Sequence, residues 1–283
     1  MLKFVPMREL LQAAKAEGYA LPAINVFNME SIHAVLEAAN EERAPIIIMA
    51  EQRDLLYAGM EFMIKMAEAA ASKAEVPIAF HLDHGRDLEL VKRGIAAGFS
   101  SVMFDGSQLS FEDNIRFTKQ VVDWAKERGV SVEAELGHVA LAGAEANGEA
   151  TEGFLTDPEL VPAFVDATGV DALAVAIGTA HGVYRSMPKL DFARLEAIAK
   201  GVDIPLVLHG GSGTPDPDLQ QAIKLGVCKI NVGTDVRRAF VAAVVEKGQD
   251  PDRDVRDVMT YARAKMKEII RDRIRVFGAQ GRA

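Results

Sequence analysis

The 283-residue chain holds a single cysteine, Cys228, so no internal disulfide can form and the composition suits a reducing compartment. It has no apolar run long enough to cross a membrane, although 49% of its residues are hydrophobic. Lys and Arg number 32 against 41 Asp and Glu, and they form no basic cluster. A formal charge of −9 therefore argues against a nucleic-acid surface. It does not bar an anionic ligand, because backbone N–H groups and helix N-termini hold phosphate without net charge. The opening Met1-Leu2-Lys3-Phe4-Val5-Pro6 lacks the apolar core of a signal peptide. No linker or low-complexity tract divides the chain. The expectation is one cytoplasmic domain over residues 1–283, with neither membrane nor nucleic acid as a partner.

Short apolar, β-branched runs alternate with helical periodicities along the whole length. Strands are expected near Ala23–Val26, Pro45–Met49, Ile78–His81, Ser101–Phe104, Ser131–Glu135, Ala172–Ala176, Pro205–Leu208 and Lys229–Val232. Helices are expected over Met29–Glu42, Glu61–Lys73, Asp87–Ala97, Glu112–Arg128, Pro158–Ala167, Asp191–Lys200, Asp216–Lys224 and Thr234–Glu246. Eight β-α units in succession predict an α/β fold of the (β/α)8 TIM-barrel type rather than an open doubly wound sheet. Met7–Glu17 would be an extra N-terminal helix and Val255–Phe277 a C-terminal helical extension. Arg271, Arg273 and Arg275 on the latter could face a second subunit or belong to an ordinary surface helix.

Active sites of such barrels lie at the C-terminal ends of the strands, and the polar outliers fall there. Asp83 and His84 follow strand three, Asp105 strand four, Glu135 ends strand five, His181 follows six, His209 seven, and Asn231 lies on eight. Taken singly, each histidine is more often a packing residue. Three at equivalent rim positions, each next to Gly, form a plausible cation site with open positions, suited to catalytic zinc or to Co²⁺ or another divalent ion. His33 falls within a helix, His81 suits second-rank support of a ligand, and His138 in a loop receives no role. His209-Gly210-Gly211-Ser212-Gly213 and Asn231-Val232-Gly233-Thr234-Asp235, after strands seven and eight, occupy the usual phosphate site of the fold. Asp105 and Glu135 form a pair of rim acids, and Glu133 shares a face with Glu135. The long Gly- and Ala-rich segment Leu136 to Leu155, with Glu145 near its middle, has the length of a loop that covers a site.

Together these motifs resemble the class II, metal-dependent ketose-bisphosphate aldolases of the fructose and tagatose type. The resemblance runs through His81-Leu82-Asp83-His84-Gly85, Ser101 to Ser107, Val132 to Gly137, Gly178-Thr179-Ala180-His181-Gly182, the two glycine-rich motifs and the closing Arg275 to Ala283. It implies zinc on His84, His181 and His209. Asp83 would handle the hydroxyl proton at the cleaved carbon–carbon bond, and Asp105 and Glu135 would line the metal and hold a second or displaced cation. Gly182, Gly210, Gly211, Ser212, Asn231, Val232, Gly233 and Thr234 would bind the phosphate of dihydroxyacetone phosphate, with a monovalent cation, Na⁺ or K⁺, nearby. Glu145 would be the mobile-loop base that takes the carbon-bound proton. The implied chemistry passes through a zinc-stabilised enediolate, with a phosphorylated ketose as substrate and a homo-oligomer, dimer or tetramer, as the assembly.

The departures from the family pattern lie near the substrate. Glu51 stands where a small or hydroxyl residue is usual, Gln108 where many relatives have His, and Ala142-Gly143-Ala144-Glu145-Ala146 replaces Gly-Gly-x-Glu-Asp. These departures read either as drift at a variable rim or, more sharply, as a ketose 1-phosphate different from fructose 1,6-bisphosphate, with Glu51 and Arg53 selecting its distal end. Two rival classes stand beside this reading. One is a non-catalytic aldolase-like partner subunit, and the second is a metal-dependent epimerase or isomerase on the same fold.

Overall fold

The structure is a computed structural model and describes residues 4–139, 154–184 and 186–283. Eight parallel strands close in sequence order: β1 (Leu21–Asn25), β2 (Ile46–Glu51), β3 (Ile78–Gly85), β4 (Ser101–Phe104), β5 (Ser131–Leu136), β6 (Ala172–Val175), β7 (Leu206–Leu208) and β8 (Val227–Val232). β8 returns to β1 through Leu21↔Lys229 and Ala23↔Asn231. The strands are covered on both faces, which is why they read as continuous apolar runs and not as alternating ones. Among the described residues eleven helices accompany them, and none is long and apolar enough to cross a membrane.

Helix α1 (Met7–Glu17) precedes the barrel, burying Met7, Leu10, Leu11 and Ala14 and stopping at Gly18, whose φ of 71° suits a residue without Cβ. The outer layer continues with α2 (Met29–Glu42), α3 (Gln52–Ala58), α4 (Met60–Ala71), α5 (Leu88–Ala97), α6 (Phe111–Lys126), α7 (Val161–Thr168), α8 (Phe192–Gly201), α9 (Asp216–Lys224) and α10 (Thr234–Lys247). The last helix, α11 (Val255–Val276), packs across α2 and α10. Its arginines are used within the chain. Arg271 and Arg275 both pair with buried Glu42, and Arg273 with Asp216.

Three local features depart from the sequence-based expectation. β3 runs on to Gly85, so Asp83 and His84 lie within the strand end and not beyond it. Helix α7 begins at Val161 instead of Pro158, with Pro162 in its first turn, where a missing N–H costs nothing. Helix α3 was not expected. It forms directly after β2 because Asp54 accepts the Glu51 N–H at 3.1 Å, satisfying a donor at the helix start.

Candidate active site

The strand ends bring His84, His181 and His209 together, with one ring nitrogen from each mutually within 4.8 Å. His84 has φ +48°, a left-handed conformation rare for a residue with a side chain, at the register shift between Leu82 and Gly85 in the β3–β4 ladder. Gly85 follows because a Cβ there would lie 2.8 Å from the Met103 carbonyl and 2.5 Å from Val91 Cγ2. The tautomers follow from the carboxylates behind the rings. His84 Nδ1 donates to Asp105 Oδ2 at 3.0 Å, and His209 Nε2 donates to Glu133 Oε1 at 3.0 Å. That turns His84 Nε2 and His209 Nδ1 toward each other at 3.0 Å. Two lone pairs at this distance repel unless a proton or a cation lies between them. His181 Nε2 is buried without a partner beside them. Three imidazoles with neutral, inward lone pairs and carboxylates behind two of them fit a divalent metal ion.

Without a cation the three rings differ: two are neutral, and His84 holds the proton that a metal ion would displace. Burial pushes His181 and His209 well below the usual imidazole range, so both stay neutral and able to donate a lone pair. Burial opposes a charged His84 as well, but Asp83 and the hydrogen bond to Asp105 outweigh it and push that ring up to about 10. Asp105 is held far below the normal carboxylate range, since its bonds to His84, Ser107 and Arg86 overcome its burial. Burial pushes Glu135 up to about 8. Both acids join His84 as a second possible set of ligand atoms.

Asp83 is 2% exposed and accepts Asn231 Nδ2 at 3.2 and 3.3 Å. It lies abreast of Glu51 in the β2–β3 register, which places a second carboxyl beside it. Glu51 accepts from Asn25 Nδ2 at 3.0 Å and lies 3.6 Å from Arg237. His81 is fully buried and neutral, with Nδ1 2.8 Å from Ser101 Oγ and Nε2 3.8 Å from Glu133, so it supports the site from below.

A cleft of about 680 Å³ opens over these groups. Of the sequence-predicted residues, Asp83, His84, His181, Gly182, Gly210, Ser212, Asn231, Gly233, Thr234, Glu51 and Arg53 line it, and so does Gln108. His209, Asp105 and Glu135 lie beneath it, and Gly211 and Val232 do not line it either. Gly211 gives its N–H to the Asn231 carbonyl at 3.0 Å, and its own contribution is the absence of a Cβ, which would meet Ile230 Cγ2 at 2.4 Å. Val232 is buried in the barrel wall. Glu145 lies outside the described residues.

Sequence reasoning missed Asn25, Arg86 and Arg237 on the cleft wall, and gave no role to His138, whose Nδ1 is 3.1 Å from Ser107 Oγ. Asn25 was open to detection as a polar residue closing β1. It also packs beneath the turn after β8, since a Cβ on Gly233 would fall 2.4 Å from Asn25 Oδ1. Arg86 bonds Asp105 Oδ2 at 2.9 Å, a pairing across strands that sequence spacing does not reveal.

Residues 5–282 match the sequence model of the family described as Fructose-bisphosphate aldolase class-II. Among solved structures, the YdjI aldolase from Escherichia coli K12 is 36% identical with a TM-score of 0.88, covering 99% of both chains. A candidate fructose-1,6-bisphosphate aldolase from Coccidioides immitis is 32% identical with a TM-score of 0.90, covering 98% of this chain and 97% of that one. The fructose-bisphosphate aldolase of Campylobacter jejuni is 27% identical with a TM-score of 0.82, over 98% and 95%.

Proposed function

Because the chain belongs to the class II fructose-bisphosphate aldolase family, a family of metal-dependent carbon–carbon lyases, we propose that it reversibly cleaves a ketose 1,6-bisphosphate of the fructose or tagatose type. The products are dihydroxyacetone phosphate and an aldehyde. The observation that carries this reading is the convergence of His84, His181 and His209 beside the buried carboxyl of Asp83. His84, His181 and His209 would hold a divalent ion, with zinc the ion proposed, and that ion would supply a Lewis acid for the ketose carbonyl and for the negative charge left by bond cleavage.

The chain's own groups do the rest. Asp83 removes the C4 hydroxyl proton as the carbon–carbon bond breaks and returns it in the reverse direction. Asn231 holds both Asp83 oxygens and fixes the direction of that transfer. Gly182, Gly210, Ser212, Gly233 and Thr234 meet the C1 phosphate at the start of α10, where backbone N–H groups favour an anion. Asp105, itself held by Arg86, accepts the His84 ring N–H from behind.

A second reading is favoured by one observation, the placement of Glu51 and Arg53 on the cleft wall. A carboxylate abreast of Asp83 disfavours a second phosphate close by and suits a ketose 1-phosphate with a different distal end. The intact Asp83 and three histidines disfavour a non-catalytic subunit.

The test is retro-aldol cleavage of a panel of ketose phosphates, with dihydroxyacetone phosphate trapped as product and metal content measured on the same sample. Cleavage of a ketose bisphosphate supports the first reading. Selective cleavage of another ketose 1-phosphate, altered by Glu51→Ser, supports the second. Metal-loaded protein that releases no dihydroxyacetone phosphate from any member would overturn both.

A further inference from the structure

We propose that Tyr184 is a positioning residue whose hydroxyl clamps together the two chain segments that carry His181 and His209. The inference rests on the reading of these histidines as metal ligands and adds a determinant of where they stand. The Tyr184 hydroxyl accepts the Ala180 N–H at 2.9 Å and donates to the Gly210 carbonyl at 2.9 Å. Ala180 immediately precedes His181, and Gly210 immediately follows His209. One phenol therefore ties the residue before one ligand to the residue after another.

Three further observations show why a tie is needed there. The β6–β7 ladder is paired at Leu173↔Leu206 and Ala174↔Val207, below both histidines, so no sheet hydrogen bond sets the spacing of the segments that bear them. The two backbones nonetheless touch. Gly210 has φ +70°, and a Cβ on it would fall 2.4 Å from the Ala180 carbonyl oxygen. The two histidines also differ in their own support. His209 is held through its ring by Glu133, whereas His181 Nε2 is buried without a partner. The stance of His181 thus depends on its backbone, and Tyr184 holds that backbone against the better-anchored His209 segment.

Geometry around the phenol suits this task. Thr214 Oγ1 gives a second hydroxyl bond to the Gly210 carbonyl at 3.1 Å, so this carbonyl is fixed by two donors. Gly213 passes the ring face closely enough that a Cβ would lie 3.2 Å from Tyr184 Cδ2. Burial raises the phenol above its ordinary range, which keeps the proton that the hydroxyl donates.

The experiment compares wild-type protein with Tyr184→Phe, which keeps the ring and removes the clamp. Each is stripped with a chelator and titrated with Zn²⁺ against a chromogenic competitor, then with Co²⁺ while the visible absorption is recorded. The expected result is Zn²⁺ binding weaker by on the order of 10-fold or more, the size seen when an outer partner of a ligand is lost. The Co²⁺ bands should change in position or intensity, reporting an altered ligand arrangement. A merely structural role would lower the melting temperature of the metal-free protein and leave affinity and bands alone, and that result overturns the clamp. If Tyr184→Phe does not fold, Thr214→Val removes the second bond to Gly210 and should weaken Zn²⁺ binding to a smaller extent; unchanged affinity there also overturns it. Wild-type protein that takes up neither ion would overturn the three-histidine reading, and the clamp with it.

Discussion

Glu133 Oε1 lies 3.0 Å from His209 Nε2 while the same carboxylate takes the ammonium of Lys229 at 3.1 and 2.9 Å. All three side chains are completely buried. One acid on β5 thereby sets the tautomer of His209, just after β7, and neutralises a lysine on β8. It links the cleft to the interior packing of the barrel. This lysine is ion-paired in the barrel interior.

Removing that acid should damage both functions at once. Glu133→Ala leaves Lys229 charged and unpaired in the barrel interior, which costs about 3–5 kcal/mol of stability. It also frees the His209 ring to turn. Urea unfolding of the metal-free protein should show the loss. The partner variant Glu133→Gln keeps a hydrogen-bond acceptor for His209 and should retain more of the metal affinity than the alanine variant. Equal metal affinity in wild type and Glu133→Ala would refute the orienting role.

Asp83→Ala should separate chemistry from metal binding. The carboxyl is not among the three histidines, and its bonds go to Asn231. Turnover should fall on the order of 10²–10⁴-fold, as for loss of a general acid–base. Metal content by elemental analysis should stay near wild type. A variant that loses both would place Asp83 among the ligands instead.

Much of this was legible before any coordinates because the physics of a parallel barrel writes itself into short windows. Each strand is buried on both faces, so it reads as a brief apolar run, and the runs that end near Asp or His next to Gly mark the C-terminal rim of the barrel. This pattern alone put Asp83, His84, His181 and His209 at that rim, and the structure brings ring nitrogens of the three histidines within 4.8 Å of one another. The pairing of Glu133 with Lys229 joins residues 96 positions apart across the barrel, and no local pattern encodes it. Helix α3 escaped because seven residues are too few for a hydrophobic periodicity to declare itself, although Glu51 and Asp54 carry a start signal. At Gly211 a glycine-rich turn announces close backbone approach, but not that its N–H goes to the Asn231 carbonyl.

Cys228 should be a clean reporter of unfolding. It is 2% exposed, its thiol bonds the Gly226 carbonyl at 3.2 Å, and burial pushes it up to about 11. A thiol that is both shielded and protonated at neutral pH reacts slowly. A chromogenic disulfide reagent should therefore find almost no thiol in the native protein and one per chain in denaturant. Rapid labelling of native protein would contradict the burial.

Asp54 should make stability depend on pH in a direction opposite to that of an ordinary paired carboxylate. Burial is the main cause that pushes it up to about 6, with repulsion from Glu51 next, while the Glu51 N–H and Arg237 only partly oppose them. In the unfolded chain the group titrates near the usual 3.8. A raised folded value means that the fold favours the protonated form, so this contribution is fully present below pH 3.8, declines as pH rises, and is lost above about pH 6. Asp54→Asn removes the ionisation while an amide oxygen can still accept the Glu51 N–H. The variant should be more stable relative to wild type at pH 8 than at pH 5 by about 1 kcal/mol, from the difference in proton uptake between the two states. Paired urea unfolding curves at the two pH values measure this directly. A variant less stable than wild type by the same amount at both would show that Asp54 ionises freely in the fold and that the Glu51–Asp54 pair carries no electrostatic strain.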